Sequence, residues 1–217
     1  MIRELQERFN LLDSQWVIIA ASTHAPEEQI IIDALRELIN DSPSASPRMI
    51  IAPRHPERFA EVADLLANSG LTWSRRTDAP KHQDRVSEVV LLDTVGELAA
   101  AYSLGKVVFV GGSIAKKGGH NILEPATRSR AVVTGHHTFN FAGIVKTFLD
   151  ADALVQLPPL EGTAAASTLA KCFRDLLLDD KRRCALAERA CATVAAHQGA
   201  TTRTVNSVSE LTRLTLK

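Results

Sequence analysis

The chain has 217 residues, 45% of them apolar and 23% charged, which suits one globular domain or at most two small ones at roughly 150 residues per domain. Lys plus Arg number 25 and Asp plus Glu number 25, so the formal charge is zero and the basic excess of a general nucleic-acid binder is missing. No apolar run reaches the roughly 18 residues of a membrane span, and the N-terminus MIRELQERFN carries no signal-peptide core.

In chain order, Trp16–Ala21 (WVIIAA) reads as a buried strand, followed by the polar turn STHAPEE. A helix then places Ile30, Ile31, Ala34, Leu35, Leu38 and Ile39 on one face, and Asp41–Pro47 is turn chemistry. Met49–Pro53 (MIIAP) is a second strand. A helix from near Glu57 turns Phe59, Val62, Ala63 and Leu66 inward, with Gly70 placed to end it. Leu71–Ser74 is a short strand and Val89–Asp93 (VVLLD) another. Thr94-x-x-Glu97 has the form of a capping box for the helix carrying Leu98, Ala101 and Tyr102. Val107–Val110 (VVFV) and Ala131–Thr134 (AVVT) are two more all-apolar runs, with a glycine-rich loop and a brief helix between them. Ala153–Leu157 is the last strand, and from about Ala164 the chain reads as helix.

Strands apolar on both faces that alternate with amphipathic helices predict an α/β fold, a Rossmann-like doubly wound parallel sheet with a helical C-terminus. Cys172, Cys184 and Cys191 show no C-x-x-C pair and no matching histidine spacing, so zinc is not expected and the thiols read as small buried hydrophobes.

Ligands of an open parallel sheet collect at the carboxyl ends of its strands. Ser22, Thr23 and His24 follow the first strand, and Arg54, His55 and Arg58 follow the second. After VVFV comes Gly111-Gly112-Ser113, then Lys116-Lys117-Gly118-Gly119-His120-Asn121, and then Glu124-Pro125. Glycine pairs let backbone N–H groups approach an anion, and the following helix start suits the same charge. Gly112, Ser113, Gly118, Gly119, His120, Asn121 and Glu124 are therefore expected to bind a nucleotide, with Glu124 suited to paired ribose hydroxyls. Arg54 is expected to contact a carboxylate or phosphate of the donor. Arg58 is equally open to a surface ion pair, and Ser22 or Thr23 to capping the next helix. The loop is neither G-x-G-x-x-G nor G-x-x-x-x-G-K-[ST], which excludes the nicotinamide fingerprint and the P-loop.

The pattern GGS-x4-GGHN-x2-EP, with PRHPER upstream and GHHTFNF downstream, resembles the C-terminal half of bacterial Kdo transferases, over roughly residues 16–157. The resemblance implies one half of a two-domain GT-B enzyme that moves 3-deoxy-D-manno-octulosonate (Kdo) from CMP-Kdo to a lipid A precursor. It further implies action at the cytoplasmic face of the inner membrane, and no metal or other cofactor. On that footing residues 16–217 are the CMP-Kdo-binding domain, residues 1–15 are the end of an interdomain linker, and the acceptor-binding half is absent. The lipid acceptor, the membrane and the catalytic base would belong to that half, so no catalytic residue is expected here. Family members usually carry Gly-Pro-His where this chain has Gly135-His136-His137. A nucleotide-sugar epimerase domain and a non-catalytic nucleotide-binding module remain as alternatives.

Overall fold

The computed structural model describes residues 2–11, 16–41, 46–159 and 164–215, with side chains through His197. Among the described residues, seven parallel strands form a single sheet: β1 (Val17–Thr23), β2 (Arg48–Pro53), β3 (Trp73–Arg75), β4 (Val89–Leu91), β5 (Val107–Val110), β6 (Ala131–Thr134) and β7 (Val155–Gln156). Their spatial order is β3-β4-β2-β1-β5-β6-β7. Ile19 of β1 lies between Ile50 of β2 and Val108 of β5, so the central strand is hydrogen-bonded on both edges. Winding reverses between β1 and β5, and that reversal opens a crevice at their carboxyl ends.

Among the described residues, eight α-helices flank the sheet: α1 (Ile2–Phe9), α2 (Glu27–Asp41), α3 (Phe59–Ala67), α4 (Leu98–Ala101), α5 (Leu123–Thr127), α6 (Ala142–Asp150), α7 (Ala164–Leu178) and α8 (Asp180–Thr215). Side chains alternate across each strand, which divides the core into two layers. Ile18, Ile51, Leu91, Phe109 and Val133 meet α2, α3 and α7, whereas Val17, Ile19, Val90, Val108 and Val132 meet α1, α6 and the start of α8. This two-sided burial is why the strands read as continuous apolar runs.

The expected strands are all present, with ends shifted by a few residues, and the β5 and β6 limits coincide with VVFV and AVVT. In α2 the buried apolar positions are Ile31, Ile32, Ala34, Leu35 and Leu38, with Ile30 and Ile39 half-buried, and Gly70 adopts φ +78° beyond the end of α3. Two expectations are corrected. Thr94 does not cap α4: Glu97 occupies that position, and the Thr94 hydroxyl donates to the Glu97 carboxylate at 2.6 Å. Of the three free thiols, Cys184 is exposed and Cys172 and Cys191 are half-buried, so none is a fully buried hydrophobe. Within the expected linker, Ile2–Phe9 is a helix whose Leu5 and Phe9 enter the core at 1% and 0% exposure. Arg8 of that helix donates to Asp84 at 2.7 Å and to the carbonyls of Arg75 and Arg76 at 3.0 and 2.6 Å, tying α1 to the β3 edge. Of the expected turn Asp41–Pro47, residues 42–45 lie outside the described residues.

Candidate functional site

The crevice between β1 and β5 is built by the turn after β1, the turn after β2 and the long loop after β5. β1 carries a bulge between Ala21 and Thr23, where Ser22 takes a left-handed φ of 54°. Three histidines converge beyond it. The His24 and His120 rings stack, their Nε2 atoms 2.8 Å apart in a hydrogen bond that requires one donor and one acceptor. His55 meets His24 edge-on, with ring centroids 5.2 Å apart. Burial pushes the His24 imidazole down to about 4, with His120, His55, Lys117 and Arg58 adding to the shift. His120 is also lowered, first by burial and then by Arg54 and His55. Both rings are therefore neutral near pH 7, inside a rim of basic groups.

Gly112 lies directly under this pair with φ +67°, and a Cβ there would come 3.0 Å from the His120 ring. Bulk at this point would push the rings apart. Gly118 and Gly119 also have positive φ, and the Gly119 N–H donates to the Gly112 carbonyl at 2.8 Å, folding the loop back on itself. Asn140 clasps the loop tip: its side chain donates to the Lys117 carbonyl at 2.9 Å and its backbone to the Gly118 carbonyl at 3.1 Å.

The first half of the loop has no free amides to offer a phosphate. Gly112, Ser113, Ile114 and Ala115 donate their N–H groups, at 2.8–3.1 Å, to the carboxylate of Glu27, which is 0% exposed. The His24 N–H is a fifth donor to it at 3.0 Å. Burial raises the Glu27 pKa, and the amides of Gly112, His24, Ile114 and Ser113 oppose that shift. Ser113 is equally committed: its hydroxyl donates to the Val110 carbonyl and accepts the Gly135 N–H. Sequence reasoning missed Glu27, because an acidic residue in a helix's first turn is ordinary and four of its five partners lie 85–88 residues away.

The remaining expected residues fall into four groups. Arg54 and His55 are exposed at the rim, with the Arg54 N–H held by the Thr23 carbonyl at 3.0 Å. Arg58 turns away to bridge Glu28 and Glu61, both at 3.0 Å, and the Glu28 side chain is fully buried. Thr23 is buried, and neither it nor Ser22 caps α2; the His24 carbonyl accepts the Glu27 N–H at 2.7 Å instead. Asn121 and Glu124 form a pair at 3.2 Å at the start of α5, where Asn121 Oδ1 also accepts the Leu123 N–H at 3.0 Å. Glu124 is exposed, and after burial it is the second cause holding the Tyr102 phenol above its usual range. Among the described residues, no group of three or more His, Cys, Asp or Glu side chains is placed to hold a metal ion.

A doubly wound parallel sheet with a glycine-rich loop at the β1/β5 reversal and a helical C-terminus defines the Rossmann-like C-terminal domain of a GT-B glycosyltransferase. No protein-family model matches the chain. The 3-deoxy-D-manno-octulosonic acid transferase of Bordetella pertussis is 35% identical over 195 residues, which are 89% of this chain and 44% of that protein. The crystal structure of the C-terminal CMP-Kdo binding domain of WaaA from Acinetobacter baumannii is 34% identical, with a TM-score of 0.77 over 89% of this chain and 95% of that one. The chain belongs to the 3-deoxy-D-manno-octulosonic acid transferase family, aligning with its C-terminal domain, and it spans less than half the length of the curated relatives it matches. UDP-GlcNAc 2-epimerase from Neisseria meningitidis shares the fold alone, at 14% identity and a TM-score of 0.57 over 96% of this chain and 48% of that one.

Proposed function

We propose that the chain is the donor-binding domain of a transferase that moves Kdo from CMP-Kdo onto a lipid A precursor. The observation that carries this reading is the basic rim of His55, Arg54 and Lys117 around the neutral His24–His120 pair, at the winding reversal. CMP-Kdo presents two anions, a phosphodiester and the sugar carboxylate, and such a rim complements both. The phosphate is met by the second half of the loop, Gly118–Asn121, and by the histidines, because Glu27 takes the amides of residues 112–115. Glu124, acceptor-only and exposed beside Asn121, takes the ribose hydroxyls.

In the transfer, an acceptor hydroxyl attacks the anomeric carbon of Kdo as CMP departs through an oxocarbenium-like state. The contribution of this domain is to hold CMP and stabilise the charge that grows on its phosphate. The base, the lipid acceptor and contact with the cytoplasmic face of the inner membrane belong to a second domain; no helix among the described residues is long and apolar enough to cross a membrane. Neither a metal nor another cofactor enters this scheme.

Mapping CMP onto the chain by amide chemical shifts tests the site. The expected result is shifts at residues 118–124 and at His24 and His55, and shifts confined to another surface would defeat the reading. The chain alone should transfer no Kdo, since proximity and the base are both supplied elsewhere. Robust turnover by residues 1–217 would overturn the division of labour.

A further inference from the structure

Glu27 is a fully buried carboxylate in the crevice wall that the functional reading does not use. Its two oxygens divide five backbone donors between them. Oε1 accepts from Ser113, Ile114 and Ala115, and Oε2 accepts from Gly112 and His24. Oε2 therefore cross-ties the turn after β1 to the loop after β5. The residues joined by that tie are the two that set the histidine pair: His24 itself, and Gly112, which lies under the His120 ring and whose carbonyl holds Gly119. Successive amides converging on one point form the kind of concavity that elsewhere holds a phosphate or carboxylate ligand.

We infer that residues 112–115 form an anion hole permanently filled by the protein's own Glu27 carboxylate, which makes Glu27 the positioning residue for the His24–His120 pair and for the Gly118–Asn121 half of the loop. Steric room supports the assignment. A Cβ at Gly111 would lie 2.8 Å from Glu27 Oε2 and 2.7 Å from the Ser22 carbonyl oxygen, so glycine is needed for the carboxylate to reach the loop. A carboxamide cannot replace it. Either orientation of a glutamine turns an NH2 group onto two or three N–H donors.

The assignment of the loop's second half to nucleotide rests on the function proposed above; the filled anion hole does not. Two variants test them separately. In Glu27→Ala, formate at tens of millimolar should occupy the vacated amides and raise the melting temperature, or permit folding where the variant otherwise fails to fold. The parent chain should not respond to formate. In Glu27→Gln, the imidazole 15N signals of His24 and His120 should shift, those of His197 should not, and CMP affinity should fall at least tenfold. Formate without effect on Glu27→Ala, or Glu27→Gln with parental imidazole signals, overturns the inference. If the parent chain does not bind CMP, the functional reading fails while the formate and imidazole results still decide the role of Glu27.

Discussion

Replacing Arg58 separates a structural from a ligand-binding role at a position where sequence reasoning left both open. The Arg58 guanidinium donates to Glu28 at 3.0 Å; the Glu28 side chain is 0% exposed and that of Arg58 only 16%. Arg58→Met removes the cation and strands a buried carboxylate, for which the usual cost is about 3–5 kcal/mol. The lost bond to Glu61, an exposed partner, adds less than about 1 kcal/mol. At about 2–4 °C per kcal/mol for a chain of this size, the melting temperature should drop by roughly 6–20 °C. Adding Glu28→Gln removes the stranded charge, so the double variant should regain most of the loss; urea unfolding of the parent, both single variants and the double variant measures the coupling. CMP affinity of the folded Arg58→Met variant should stay within about threefold of the parent, a change near 0.6 kcal/mol. A loss below 1 kcal/mol in stability together with a tenfold loss of CMP affinity would refute this reasoning and make Arg58 a donor contact.

Three other outcomes are expected. Glu124→Ala should weaken CMP binding by about 1–3 kcal/mol with an unchanged melting temperature, because the side chain is exposed and its carboxylate accepts from Asn121 at a long 3.2 Å; calorimetry and thermal unfolding on one preparation check both halves. His24 has a folded pKa near 4 against 6.5 for the unfolded chain, so only the unfolded state takes up that proton between those values. Its stabilising contribution is complete above pH 6.5 and is lost as the pH falls toward 4, and urea midpoints of the parent and a His24→Gln variant across that range should diverge. Phe9→Ala should cost about 3–5 kcal/mol, since the ring is fully buried between α1 and the sheet; a loss under 1 kcal/mol by urea unfolding would mean that α1 is dispensable to the domain.

The sheet was legible in the sequence because each central strand is buried on both faces, which leaves an unbroken apolar run such as VVFV or AVVT between polar turns. The place proposed for the site came from the same reading, since the densest glycine-rich stretch sits after β5 and the winding reverses there. Less legible was the use each residue makes of its neighbours. Gly112 and Ser113 were expected to present amides to a ligand and present them to Glu27. Thr94 and Glu97 have the spacing of a capping box, yet Arg76 reaches across from the β3 edge and binds Glu97 at 3.0 Å. In each case the deciding partner is distant in sequence, and spacing within a short motif carries no information about it. The α1 helix was hidden for another reason: eight residues are too few for periodicity to stand out, and its order comes from packing Leu5 and Phe9 against the sheet.

The central claim is that this domain recognises a cytidine nucleotide through the crevice between β1 and β5. Calorimetric titration of the chain with CMP, UMP and AMP under one set of conditions tests it most directly. The account predicts measurable binding of CMP by residues 1–217, and weaker binding of UMP and AMP. Equal affinity for all three nucleotides, or no binding of CMP at millimolar concentration, would contradict it.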